Sequence, residues 1–349
     1  MASFVRVQEI EHAIGPTGRF ALRVTSSDVE IRGITGPNAR VRIEFDLRAG
    51  TDAEADEALD NVKFITRSGE GFLEVQEPKR GDQGLATITR LLGMSGVRVE
   101  ARVVAEVPQG ATVAYNTVSG DLIGIGLVGE QEYRTVSGDL VLSDTGGAIR
   151  VNGVSSDVSL RADQPIRLEA NTVSGDLSII APRIETSRVV TVSGDVELEA
   201  DLGAGHPHRI ETVSGDLNLG AVGGLVLEVR GLSTDVEVNM AHRSEGSRDR
   251  RRFVIGDGAA SVQFSSMSGD VSVGAARRII AAPRPATPAT ATTPATPATP
   301  ATPPTPPTPP APRPLVSESD QLEILRALER GEIDIDEAQR RLSGEATDA

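Results

Sequence analysis

No cysteine and no tryptophan occur in the 349 residues, and there are only two tyrosines and seven phenylalanines. Without thiols the chain forms no disulfide, no thiolate metal site and no cysteine nucleophile. With so few rings, a core must be assembled from Val, Ile, Leu and Ala, which suits a narrow interior. The same scarcity argues against oligosaccharide or single-strand binding by stacked aromatics. Basic residues are outnumbered, 35 Lys and Arg against 50 Asp and Glu, giving a net charge of -15; this disfavours non-specific contact with nucleic acid or anionic lipid. Long apolar runs are missing too. No segment approaches the roughly 18 residues of a membrane span, and the N-terminus, MASFVRVQEIEH, has charges where a signal peptide needs an apolar stretch. These absences predict a cytoplasmic chain with no transmembrane segment, any envelope association being made through a partner. Of four histidines, His206 and His208 share a loop and His12 and His242 are far away in sequence, so no metal site and no cofactor is expected.

What the chain does have is repetition. TVSGDL begins at Thr117, Thr135, Thr172 and Thr212, TVSGDV at Thr191 and SMSGDV at Ser266, with worn copies VSSDV at Val154 and LSTDV at Leu232. The aspartates fall at 121, 139, 157, 176, 195, 216 and 235, steps of 18, 18, 19, 19, 21 and 19 residues, followed by a step of 35 to Asp270. A fixed period near 20 residues signals a solenoid. Within a unit apolar residues alternate, as at Val136, Leu140 and Leu142, then Ile149 and Val151, or at Val154, Val158 and Leu160, then Ile166 and Leu168. Period 2 over short runs bounded by Gly, Asp and Ser reads as two strands per unit. The phase slips between Leu168 and Val173, which marks a corner or bulge. One unit cannot bury its apolar face alone, so coils stack at about 4.8 Å, and eight or nine of them extend roughly 40 Å. The prediction is an all-β, single-stranded β-solenoid (β-helix) with 18–21 residues per coil.

Ser-Gly-Asp has a local reason to recur. Gly takes backbone angles that other residues resist, and the Asp carboxylate can accept a backbone N–H in the turn. The other possibility is a cation ladder of Asp121, Asp139, Asp157, Asp176, Asp195 and Asp216 with Ser or backbone oxygens, since Ca²⁺ takes six to eight such ligands. A bare row is also tolerable, because two stacked carboxylates in water repel by only about 1 kcal/mol.

Taken in order, FALRVTSSDVEIRG already forms a solenoid unit around Asp28, and Val41, Ile43, Phe45 and Leu47 make another strand. An insert over 51–96 then opens with a helix capped by Thr51 or Asp52 and running to about Val62. Phe72, Leu73 and Val75 suggest a strand after a turn at Arg67-Ser68-Gly69, and Leu85, Ile88, Leu91, Leu92 and Met94 form an apolar cluster that either packs on the first coils or, if exposed, offers a contact surface. Val97, Val99, Ala101 and Val103 restart the sheet and Pro108-Gln-Gly110-Ala111 turns into the repeats. A strand, this Pro-x-Gly-Ala turn and serial TVSGD(V/L) turns resemble the bacterial putative adhesin family, domain of unknown function 4097, over roughly Arg19 to Val273. The resemblance implies a β-solenoid without established catalysis.

The 35-residue step holds an extra coil, from Phe253 and Ile255 to Phe264, and a loop, AHRSEGSRDRRR, in which Arg243, Arg248, Arg250, Arg251 and Arg252 stand out in an acidic protein. It reads as a solvated insertion or as a basic dock for an anionic partner or for the acidic solenoid of a second copy. Beyond the first domain, 1–282, the stretch 283–314 is a Pro/Thr/Ala-rich linker that favours extended polyproline conformation. Residues 315–349 read as a two-helix hairpin: Leu322, Leu325 and Leu328 form one apolar stripe, Gly331 ends it, and Ile333 and Ile335 lead into a helix with Asp334 and Glu337 at its start and Leu342 on its apolar side. It resembles the short SHOCT-type oligomerisation modules that accompany the same domain in envelope-stress proteins. So short a hairpin must find another surface, by self-association, on a protein partner or on its own solenoid.

Three functions follow. The first is a non-enzymatic, adhesin-like scaffold assembling or recruiting partners through the hairpin. The second is a filament polymerising through open coil edges. The third is a polysaccharide-acting β-helix enzyme, disfavoured because the conspicuous carboxylates sit on the repeat rhythm and no nucleophile and base stand out.

Overall fold

The computed structural model describes residues 2–78, 98–247 and 250–276. The cluster from Leu85 to Met94, Arg248, the linker and the whole hairpin, including Leu322, Leu325, Leu328, Ile333, Ile335 and Leu342, lie outside the described residues. The chain divides into two units, Met1–Ala286 and Thr287–Ala349, and every described residue belongs to the first.

Among the described residues, twenty-two strands form one continuous hydrogen-bonded sheet that winds into coils, with one helix beside it. The first strand of each coil ends in the five-residue Thr-Val-Ser-Gly-Asp turn, and the second strand leaves it. Parallel pairing keeps equivalent residues in register, so each interior position becomes a row along the stack. Tyr115, Tyr133, Val151, Ala170, Val189, Ile210, Phe264 and Val229 make one such row. Leu122, Leu140, Val158, Leu177, Val196, Leu217 and Val271 make the facing row after the turn. All of these are buried, and the chain's two tyrosines lie together in the first row.

The coils do not stack in sequence order at either end. Arg19–Arg23 sits between Phe72–Gln76 and Thr112–Asn116, and Asp28–Ile34 between Arg98–Pro108 and Leu122–Ile125. At the other end Ala260–Ser268 slots between His208–Glu211 and Leu225–Ser233, while Val271–Ala275 slots between Leu217–Ala221 and Val236–Val238. The 35-residue step is therefore not an additional coil in line. The chain lays down Leu225–Val238 one place ahead, reverses through a hairpin, and returns to fill the gap. That hairpin, His242–Ser247 with Arg250–Ile255, is antiparallel and pairs with Leu225–Ser233. At the opposite end Asn38–Ala49 runs antiparallel to both Ala2–Ala13 and Arg98–Pro108. Antiparallel strands thus flank the parallel stack at both ends, while Val236–Val238 remains a parallel edge among the described residues.

The insert opens as its residues direct. Helix Asp52–Val62 starts from Thr51, whose Oγ1 accepts the Glu54 N–H at 3.3 Å while Glu54 Oε2 accepts the Thr51 N–H at 3.1 Å, a reciprocal capping box. Ala55 and Ala58 are its buried face, and Arg6 of the first strand pairs with Asp52 and Asp56, both at 2.8 Å. One boundary moves: Arg67-Ser68-Gly69 is not a turn but belongs to strand Ile65–Gly69, antiparallel to Phe72–Gln76, the turn falling on Glu70 and Gly71, where Gly71 has φ of +75°.

Candidate functional site

The turn itself reverses one expectation. Val136 and Val154 do not continue the interior alternation; they point outward, 48% and 44% exposed, and so do Val118, Val173, Val192 and Val213. The buried residues are the threonines before them, Thr117, Thr135, Thr172, Thr191 and Thr212. The phase slip is thus a corner: the Thr keeps the interior phase, the valine after it faces solvent, and the chain re-enters the interior after the Asp. The Ser donates its N–H back to the valine carbonyl of the preceding coil, as from Ser193 to Val173 at 2.9 Å and from Ser214 to Val192 at 2.9 Å.

Gly is required at the fourth position by close approach. A Cβ on Gly194 would lie 2.2 Å from the Gly175 carbonyl oxygen, and one on Gly215 would lie 2.3 Å from that of Gly194. The worn copies show how the turn manages without it. Where Ser156 and Thr234 replace the glycine, Gly153 and Gly231 replace the threonine, and a Cβ on these would come within 2.5 Å of Ser156 Oγ and 2.1 Å of Thr234 Oγ1. In these two turns one interior space is filled once, from either position, whereas the first turn buries both Val24 and Ser27. Bonding at this position varies from turn to turn: the hydroxyls of Ser156, Thr191, Thr212 and Thr234 have no hydrogen-bond partner, whereas Thr135 and Thr172 donate to the Ser137 and Ser174 carbonyls at 3.2 Å.

The aspartates form one spatial row: 28, 121, 139, 157, 176, 195, 216, 270 and then 235. Oδ1 accepts the backbone N–H of the next coil's Asp at 2.9 Å for Asp121, Asp157, Asp176 and Asp195, 2.8 Å for Asp216 and 3.1 Å for Asp270. The carboxylate thus clamps one coil to the next, not its own turn to itself. The six aspartates proposed as a cation ladder do lie together, each solvent-exposed. Among the described residues no group of three or more His, Asp or Glu side chains is placed to hold a metal ion.

Each end of the ridge is covered by a charged side chain. Glu77, buried, follows the strand outside the first turn, and its Oε2 accepts the Thr25 N–H at 2.6 Å and the Ser27 hydroxyl at 3.4 Å. At the far end Arg251 donates from Nη2 to the Thr234 carbonyl. This revises the basic loop: Arg250, Arg251 and Arg252 stand on the strand Arg250–Ile255, not on a solvated insertion. Arg251 occupies an interior position opposite Val229, which aims it at the stack's last turn, and Arg252 and Arg243 share Glu245 at 3.5 and 3.6 Å.

Residues 17–274 match the model of the Toastrack DUF4097 family. The chain belongs to that family. No curated protein matches it. Solved structures similar to the Toastrack chain include a putative lipid binding protein from Parabacteroides distasonis, at 12% identity over 77% of this chain and 96% of that one, with a TM-score of 0.43. A putative adhesin from Bacteroides fragilis shares 9% identity over 76% and 97% (TM-score 0.32), and a putative cell adhesion protein from Clostridium sporogenes 9% over 77% and 99% (TM-score 0.20). No helix among the described residues is long and apolar enough to cross a membrane.

Two features of the Toastrack domain carry no repeat signature in the sequence. Its interior holds polar groups. Gln131 donates from Nε2 to the Leu127 and Gly146 carbonyls at 3.1 and 2.9 Å, and accepts from Tyr133 at 2.8 Å and Thr145 at 3.1 Å. Burial raises the Tyr133 pKa. His208, fully buried on a strand rather than in a loop, donates from Nε2 to the Gly203 carbonyl at 3.0 Å and accepts the Ser187 hydroxyl at Nδ1 at 2.9 Å. Burial lowers its pKa, opposed by the Gly203 bond. Outside, a groove of about 960 Å³ runs along the coils, with Arg150, Arg167, Arg188 and Arg209 among its lining residues. Arg150 is paired with Glu169 at 2.9 Å and Arg167 with Glu185 at 3.8 Å. Short-range pairing leaves this surface mixed in charge.

Proposed function

We propose that this Toastrack protein is a non-enzymatic, adhesin-like binding scaffold. Its coils display one side-chain pattern repeatedly, and the hairpin beyond the linker gathers copies or recruits a protein partner in an envelope-stress response. The observation that carries the proposal is the unbroken ridge: nine turns present like groups at one coil spacing while their backbone groups bond to neighbouring coils. Identical stations in a line suit an extended partner, whereas catalysis calls for unlike groups converging on one point. The polar interior supports this reading, because Gln131, Tyr133 and His208 spend their hydrogen bonds on the protein itself. The antiparallel strands at both ends interrupt the parallel register that end-to-end polymerisation would continue.

The deciding measurement is absolute mass by light scattering on a sizing column, for the full chain and for a chain stopped at Ala282. An oligomeric full chain with a monomeric truncation supports assembly through the hairpin. Two monomers remove self-association and leave the hairpin as bait for a foreign partner. Equal oligomers place assembly in the solenoid and count against the hairpin.

A further inference from the structure

We propose that the turn ridge docks a basic amphipathic segment of a partner protein, laid lengthwise along the coils. The inference rests on the binding-scaffold reading and names the partner's chemistry. Val118, Val136, Val154, Val173, Val192, Val213, Met267 and Leu232 lie in one row, 43–87% exposed. Single exposed apolar residues are ordinary, but a contiguous row is a docking surface. At about 4.8 Å per coil its seven steps cover roughly 34 Å.

The neighbouring row selects the occupant. None of the nine turn aspartates makes a salt bridge among the described residues, and where Oδ1 accepts a backbone N–H the exposed carboxylate still faces water. Unit charges about 7 Å apart in water interact by about RT. Carboxylates about one coil spacing apart lie inside that distance and gather counterions, which a polycation releases. Around the first repeats the apolar surface continues across the acidic row, where Ile123 and Val141 are 43% and 44% exposed, so Asp121 and Asp139 run between two apolar flanks.

Charge excludes the nearest alternatives. Ridge against ridge in a second copy would oppose two acidic rows. The chain's own residues 315–349 carry ten acidic and four basic side chains. A basic helix fits better, since apolar residues at i and i+3 rise about 4.5 Å along its axis, close to the coil spacing.

The test uses the full chain and a fluorescein-labelled 18-residue Leu/Lys amphipathic helix, followed by anisotropy at two salt concentrations. Two triple variants separate the rows: Val136→Ser, Val173→Ser, Val192→Ser, and Asp139→Asn, Asp176→Asn, Asp195→Asn. Asn keeps the Oδ1 acceptor, so the second set removes charge and leaves the coil-to-coil bonds of Asp176 and Asp195. Each should weaken binding at least tenfold, and the Asn set should also flatten the salt dependence. A third set away from the ridge, Glu9→Gln, Glu44→Gln and Glu57→Gln, should leave affinity unchanged. Equal loss in that set would reduce the effect to net charge, and an unaffected Val→Ser variant would remove the apolar row; either overturns the proposal. So does a fall in mass of the peptide-free chain on Val→Ser substitution, which would assign the row to a copy-to-copy contact. The mass comparison at Ala282 judges the scaffold reading separately.

Discussion

Substituting Gly194 by Ala tests the stacked turn most directly. Gly194 has φ of +146°, where an L side chain is strained by about 1–2 kcal/mol. The new Cβ would sit 2.2 Å from the Gly175 carbonyl oxygen and 2.9 Å from its carbon. Both are backbone atoms, so relief requires the two coils to separate locally by about 1 Å, the shortfall from an ordinary van der Waals contact. That separation would stretch the 2.9 Å bond from Ser193 N to Val173 O and the 2.9 Å bond from Asp195 N to Asp176 Oδ1 beyond hydrogen-bonding distance, at about 1 kcal/mol each. The sum is a loss of about 3–4 kcal/mol. Gly205→Ala is the control, because nothing lies within 4 Å of its Cβ position, and it should change stability by less than about 0.5 kcal/mol. Urea unfolding of both variants, with hydrogen exchange at residues 193 and 195, reads the difference. If Gly194→Ala stays within about 1 kcal/mol of the parent, the close approach is not what demands glycine in this turn.

Three further outcomes follow. Gly153→Thr should destabilise by about 1–3 kcal/mol through overpacking against Ser156 Oγ, and adding Ser156→Gly should restore most of it; additive losses in a double-mutant cycle would show that the two positions do not share one space. Thr191→Val should be neutral or slightly stabilising, because its buried hydroxyl has no partner, whereas Thr172→Val should cost about 1 kcal/mol by removing the bond to the Ser174 carbonyl; equal effects in thermal melts would contradict this. His208 is held neutral in the fold and has its pKa lowered from 6.5, so the unfolded chain binds its proton first as pH falls. The stabilising contribution is intact above pH 6.5 and declines below it, and His208→Gln should flatten the dependence of the urea midpoint between pH 7.5 and 5; an unchanged slope would place the titration elsewhere.

The repeat period of Asp121 to Asp235, the capped helix after Thr51 and the strand periodicity of Leu140 to Leu168 are local signals, and each specified its element without help from distant residues. Local signals have a limited reach. Val136 and Leu140 look alike in sequence, and only the corner between them, held by the neighbouring coil's backbone, sends one outward and the other in. Gly153 and Ser156 look like decay of a motif until packing shows them to be one exchange. The order of coils was beyond reading, because parallel register is satisfied by any equivalent coil. Which coil fills the gap beside Leu217–Ala221 is decided by the hairpin around Arg250–Ile255, not by the repeat. His208 carried no pattern at all, since its role depends on Ser187 and the Gly203 carbonyl meeting inside the coil. Sequence by itself determined that the chain must stack. Tertiary structure alone decided the order of stacking, the outward row of valines and the clamps that Asp121, Asp157, Asp176, Asp195 and Asp216 make on the next coil, because all three depend on contacts between residues at least 18 positions apart.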